Sequence, residues 1–219
     1  MLPFTIETYF STIVQYNLAI WPAPLLGMAL ALAALVLVGR THAARARWIG
    51  MILLVGWLWA GVGFHLFQFS QINFAAPVYA GLFVMQAVLI GWLCVVRNAL
   101  SFRFAANLPG AVALFLAVLA LLIWPLVGFS AGAGLPAAPV FGADPTATVL
   151  LTLALWLLAR GPGPLWLSVV PVLWTFVDGA TFLALGAPFG LVFPVLGLVV
   201  VLLLVLKRQA ERSNGSGRK

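Results

Sequence analysis

Apolar residues run along this chain in blocks of about twenty, broken by short polar punctuation, without the period of an amphipathic helix or a half-buried strand. A helix needs roughly 17–25 apolar residues to cross about 30 Å of hydrocarbon. The blocks predict seven such spans, near residues 20–38, 48–69, 75–96, 106–128, 145–159, 164–185 and 188–206. The fifth is short, bounded by Pro145 and by Gly161 to Pro164, so it tilts little, begins outside the hydrocarbon, or falls short of crossing. Residues 3–18 show another pattern: Phe10, Ile13 and Val14 share a face, Glu7, Ser11 and Gln15 point elsewhere, and Thr5 is placed to cap. Such a helix lies in the membrane interface. Trp21 and Pro22 then open the first span, with the indole at headgroup depth.

The placement of charge threads the spans. Seven crossings put loops 39–47, 97–105 and 160–163 and the C-terminal tail on one side, and these hold every Lys and Arg. The other side receives the N-terminal helix, the 70–74 elbow, the Gly/Pro-rich 130–144 loop and the 186–187 turn, with no basic residue. Basic loops stay in the cytoplasm, so the N-terminus is expected outside and the C-terminus inside. The expected fold is therefore all-α: a polytopic transmembrane bundle of about seven spans with a short N-terminal interfacial helix. Residues 1–208 form one transmembrane domain, and 209–219 a flexible cytoplasmic tail.

Composition agrees. Of 219 residues, 64% are hydrophobic and 7% charged, and mean hydropathy is +1.17, whereas a soluble domain carries about 25% charged residues. A net charge of +7 would suggest nucleic acid in a soluble protein, but here the cations flank apolar runs and line no groove-filling element. The single Cys94 excludes an internal disulfide and a thiolate metal cluster, and its apolar neighbours suggest a buried thiol. His42 and His65 fall on opposite sides and cannot share a metal. Gly128 to Gly132 matches the nucleophile-elbow pattern at the end of a span, where the required strand-to-helix turn is missing. The last span has no lysine for a retinal Schiff base. No catalytic residue, cofactor or metal site is assigned.

The polar side chains at membrane depth are the candidates. Asp178 is the one acid within a span, where a carboxylate costs at least about 2.5–3.5 kcal/mol on insertion scales. It should be protonated, paired, or facing a wet cavity. Thr175, Asp178 and Thr181 make one stripe of the sixth span, and Pro171 frees a backbone carbonyl in the same helix. His65 and Gln68 lie three apart on the second span. At about 1.5 Å per residue from the basic ends, His65 and Asp178 lie at roughly 24 and 20 Å, deep enough alike to pair. With Asn73 and Gln86 they would line a vestibule open to the outside, roofed by Glu7, Gln15 and Asn17. The alternative is that these groups are interhelical hydrogen bonds, each worth about 0.6 kcal/mol. Gly27/Ala31 and Gly56/Ala60 are small-residue pairs that let helices approach, and most of the nine Trp are expected at interfaces.

Several short stretches, Leu2-Pro3-Phe4-Thr5, Tyr16-Asn17 with Trp21-Pro22, Phe64-His65 with Ile72-Asn73, Pro77 and Gln86, and Leu173-Trp174 with Gly179, Phe182, Gly186 and Pro188, carry a resemblance. The chain resembles domain-of-unknown-function family 6064, bacterial membrane proteins without an assigned activity. The resemblance implies the bacterial inner membrane, and a small residue where this chain has Asp178. Two functional readings stand. One is a small permease or channel-like protein with an outward-facing cavity for a small molecule or ion, Asp178 being its titratable centre. The other is a non-catalytic scaffold or sensor accessory that binds a membrane partner, or its own copy, through its helices. Lipid is the solvent in both, and an enzyme is the weakest reading, since no acid and base can be assembled.

Overall fold

The apolar blocks fold as helices. The computed structural model describes residues 2–41, 44–130, 134, 138–161 and 163–216, the backbone alone at 128–130 and 214–216. Eight helices follow in order among them: α1 Ile6–Ala19, α2 Ala23–Val38, α3 Arg45–Gln71, α4 Ala76–Val96, α5 Leu108–Val127, α6 Pro145–Leu158, α7 Pro164–Ala184 and α8 Pro188–Ser213. Five of them, α3, α4, α5, α7 and α8, are long and apolar enough to cross a membrane, which fits a membrane protein. Helices α1 and α2 meet that test only as a pair and are bent 95° to each other. His42, and the elbow-like match where it passes into 131–133, lie outside the described residues.

Helix α6 is the axis of the bundle. All of its 14 residues are buried, and it packs against α2, α3, α5, α7 and α8. A helix that is apolar all round belongs inside. At about 1.5 Å per residue it is roughly 21 Å long, short of a full crossing, because it starts at Pro145 and ends where Ala159 turns extended. Both ends are held by ionisable side chains. Asp144 caps the N-terminus, its Oδ1 accepting from the Ala147 N–H at 2.8 Å. At the C-terminus the Lys207 ammonium donates to the Leu157 carbonyl at 2.9 Å and to that of Ala159, while the Arg103 N–H takes the Leu158 carbonyl. An acid at the start and a cation at the end complement the helix dipole.

The basic loops meet at one end. A two-stranded pairing sets β1 (Ser101–Phe102) against β2 (Ala159–Arg160), and Arg47 Nε donates to the Val95 carbonyl at 3.1 Å. At the opposite end α1 lies across the bundle. Thr5 caps it, accepting from the Thr8 N–H at 3.3 Å, and Tyr9 packs edge-on against Phe69 of α3 and Phe182 of α7.

Three details depart from the pattern read along the chain. After Gln209, in the stretch of polar composition, the backbone stays helical through the end of α8 at Ser213 and on to Ser216. Trp57, Trp124, Trp156 and Trp174 are core residues rather than interface markers. Gly27 and Gly56 do not serve a helix pair directly. Both receive Phe141 of the segment ahead of α6: a Cβ at Gly27 would strike its carbonyl oxygen, and one at Gly56 its ring. That inserted aromatic positions the turn that leads to Asp144.

Candidate functional site

Beneath α1, the start of α6 meets the middle of α7. Asp178 on α7 is buried and its Oδ2 accepts from the Thr146 hydroxyl at 2.9 Å. Two residues before Thr146, the Asp144 carboxyl is 0% exposed. Its Oδ1 accepts from the Trp124 indole at 2.9 Å as well as from the α6 backbone, and its Oδ2 has no hydrogen-bond partner among the described residues. The two carboxyls are close enough for their charges to interact, and the buried Tyr9 phenol adjoins Thr146 and senses both. Among the described residues neither acid forms an ion pair. Trp124, Phe182 and Phe193 close the cluster with edge-on and stacked rings.

Threonines carry the network down α6. The Thr148 hydroxyl donates to the Asp144 carbonyl at 2.7 Å and accepts from the Gly142 N–H at 2.8 Å. Thr152 donates to the Thr148 carbonyl at 2.7 Å and accepts from the Trp57 indole at 2.9 Å. Each hydroxyl thereby holds a helix carbonyl and one further donor, the usual way a polar group is kept inside an apolar bundle.

His65 is fully buried, yet it does not pair with Asp178. Its ring sits among Phe64, Phe69, Tyr79, Phe83 and Trp174, with the Phe83 and Trp174 centroids each 4.8 Å away. Neither imidazole nitrogen has a hydrogen-bond partner among the described residues. Trp174 stands between the two candidates. It touches the imidazole, and its indole N–H lies beside the Asp178 carboxyl without hydrogen-bond geometry. The backbone explains the register: Trp59–Gln68 is wound as a π-helix. Wider turns bring positions to one face every four to five residues, so Ala60, Phe64, His65 and Phe69 are buried. Gln68, three positions from His65, is only half-buried.

The other candidates separate. The Gln86 amide donates to the Leu167 carbonyl at 2.8 Å, which is the carbonyl that Pro171, having no N–H, leaves free four residues on. Asn73 accepts from the Ala75 N–H at 2.9 Å and closes the elbow between α3 and α4. Thr175 donates to the Val172 carbonyl at 2.6 Å and packs on Gly197 of α8, while Thr181 is half-buried. In α1, Asn17 is buried and donates to the Ala138 carbonyl at 2.9 Å, whereas Glu7 and Gln15 are exposed. The Thr5 hydroxyl holds the Glu7 carboxyl below its ordinary range. Of α1 it is Tyr9 that lies over the acids, while Tyr16 accepts from the Trp59 indole at 2.8 Å.

The residues that sequence reasoning passed over are Asp144, Thr146, Tyr9 and Trp124. The order Asp-Pro-Thr at 144–146 is a helix-start signal and marks Asp144 as a cap. Nothing local marks it as buried. Among the described residues no three His, Cys, Asp or Glu side chains are grouped to hold a metal ion. Neither a curated protein nor a solved structure matches the chain. A family model matches residues 6–215, nearly its whole length, and the chain belongs to that family of unknown function, DUF6064.

Proposed function

We propose that this chain is a multi-pass protein of the bacterial inner membrane, N-terminus outside and C-terminus cytoplasmic, that works as a small proton-linked permease. The observation that carries this reading is the buried pair Asp144 and Asp178, the second held by the hydroxyl of Thr146 two residues along from the first, with an unpartnered oxygen and, among the described residues, no cation paired with either. Retaining an intramembrane carboxyl costs at least about 2.5–3.5 kcal/mol, so such groups mark ion or proton pathways by default. Two buried carboxyls close enough to repel favour holding one proton between them, and both ionise only if a cation sits with them. In this reading the pair binds and releases that proton or ion, Thr146 positions Asp178, and α1 with Tyr9 closes the outer side. Single-sided basic loops support the orientation.

The test is proton movement in proteoliposomes loaded with a pH-sensitive dye, under an imposed potential. Wild-type protein should acidify or alkalinise the lumen faster than empty vesicles, and Asp178→Asn should abolish that movement while eluting as a folded species. Equal rates for wild type, Asp178→Asn and empty vesicles would sink the reading.

The second reading, a scaffold or sensor accessory that holds a partner or its own copy, is favoured by how Asn17, Asn73 and Gln86 are used. Each is engaged in an internal hydrogen bond. Changing Gln86 to Leu would then alter thermal stability or oligomer size and leave any flux untouched.

A further inference from the structure

The basic end of the bundle carries a recess that the acid pair does not use. It is a cavity of about 500 Å³ between the start of α5, the end of α6 and the last turns of α8. Arg103, Arg160 and Lys207 line it, against the single acid Glu211. Its walls include Leu203 and the half-exposed Leu206 on α8. The cations differ in freedom. Lys207 is anchored on the α6 carbonyls, whereas Arg103 and Arg160 are exposed and uncommitted through their side chains among the hydrogen bonds of the described residues. The N-terminus of α5 opens on the same recess, with the Gly110 N–H already taken by Asn107 at 3.0 Å. A second recess, about 420 Å³, lies on the other side of Arg103 and is lined by Arg40 and Arg45 as well.

From this arrangement we infer a binding site for an anionic phospholipid, its phosphate between Arg103, Arg160 and Lys207 and its acyl chains along Leu203 and Leu206. A net excess of two positive charges suits a phosphate carrying one negative charge or two. The planar guanidinium fork matches phosphate oxygens in pairs. An apolar wall beside the cations is what a lipid needs and a soluble phosphate does not. Basic pockets between helices at the cytoplasmic surface take anionic headgroups in the same way. The inference rests on the membrane reading and is independent of the acid pair, so a chain without flux can still carry the site.

Native mass spectrometry of the full chain in detergent tests it, titrating phosphatidylglycerol, phosphatidylcholine and, separately, inorganic phosphate. Phosphatidylglycerol should bind at least about tenfold more tightly than phosphatidylcholine. The double change Arg103→Gln with Arg160→Gln should lower that affinity about tenfold, while Arg47→Gln with Arg97→Gln, an equal loss of charge outside the recess, leaves it unchanged. Equal binding of the two lipids by the unmodified chain overturns the proposal whether or not the variants fold. So does an unaltered affinity in the Arg103/Arg160 variant, or displacement of the lipid by millimolar inorganic phosphate.

Discussion

The lock between Phe141 and the two glycines lends itself to a stringent test, Gly56→Ala. A methyl built on Gly56 would lie 2.7 Å from both Cε atoms of Phe141 and closer still to Cζ. Carbon atoms rest about 3.5–4.0 Å apart, so roughly 1 Å of overlap has to be relieved. The ring has little room to retreat, being 1% exposed. Its own carbonyl oxygen already presses on Gly27 of α2, and Gly142 beside it packs on Trp59. Overpacking of a closed core costs about 1–3 kcal/mol, and blockage on two sides argues for about 3. For a chain of this size that corresponds to a fall of roughly 6–12 °C in Tm.

Thermal unfolding of the detergent-solubilised protein, followed by circular dichroism, reads the shift. Gly81→Ala is the control, because nothing lies within 4 Å of a Cβ there. It should match or slightly exceed wild type, as alanine favours helix. Adding Phe141→Leu to Gly56→Ala makes room for the methyl and should recover part of the loss. A Gly56→Ala protein that melts within about 1 °C of the Gly81→Ala control, or one that Phe141→Leu fails to improve, would refute the lock.

Two further substitutions probe the polar interior. Thr146→Val keeps the shape but removes the hydroxyl that donates to Asp178, leaving a buried carboxyl short of a partner; a loss of about 1–3 kcal/mol is expected, with Thr146→Ser close to wild type, and unchanged melting of the Val variant would contradict it. His65→Phe removes two ring nitrogens that have no partner within an aromatic cage. Stability should hold or rise, because replacing an unsatisfied buried polar group by an apolar one of similar shape is neutral or favourable; a drop of more than about 2 kcal/mol in chemical unfolding would show that the imidazole has a polar role.

Much of the helical layout was legible in the chain because lipid-length apolar runs announce themselves: the starts expected at 75 and 164 fall within a residue of Ala76 and Pro164. Pro171 foretold a free carbonyl, though not that Gln86, about eighty residues away, would take it. Other features depend on non-local geometry. The face presented by His65 turns on the π-helical winding of Trp59–Gln68, which an α-helical count cannot anticipate. Asp144 read as a loop residue beside a Gly/Pro-rich stretch. It is buried only because Phe141 inserts between α2 and α3 and draws the turn inward, a contact set by Gly27 and Gly56 more than eighty residues upstream. The short fifth block, doubtful as a crossing, became the enclosed axis because the neighbouring helices cover every side of it.

The two buried acids do not weigh equally in deciding between permease and scaffold. Asp144 has a sufficient structural reason to exist: it caps the central helix, accepts the Trp124 indole and answers Lys207 at the far end of the same dipole. Asparagine would cap about as well, so its charge, and not its presence, is what remains to be explained. Asp178 caps nothing. It occupies the middle of α7, and its one hydrogen bond among the described residues comes from the Thr146 hydroxyl, in the first turn of α6, where no preceding helix carbonyl is within reach. A bundle held together only by hydrogen bonds between helices, each worth about 0.6 kcal/mol, would gain more from an apolar residue at that position than from a carboxyl costing several times as much. The case for chemistry inside this bundle therefore stands on Asp178, with Thr146 and Asp144 as the groups that set its surroundings.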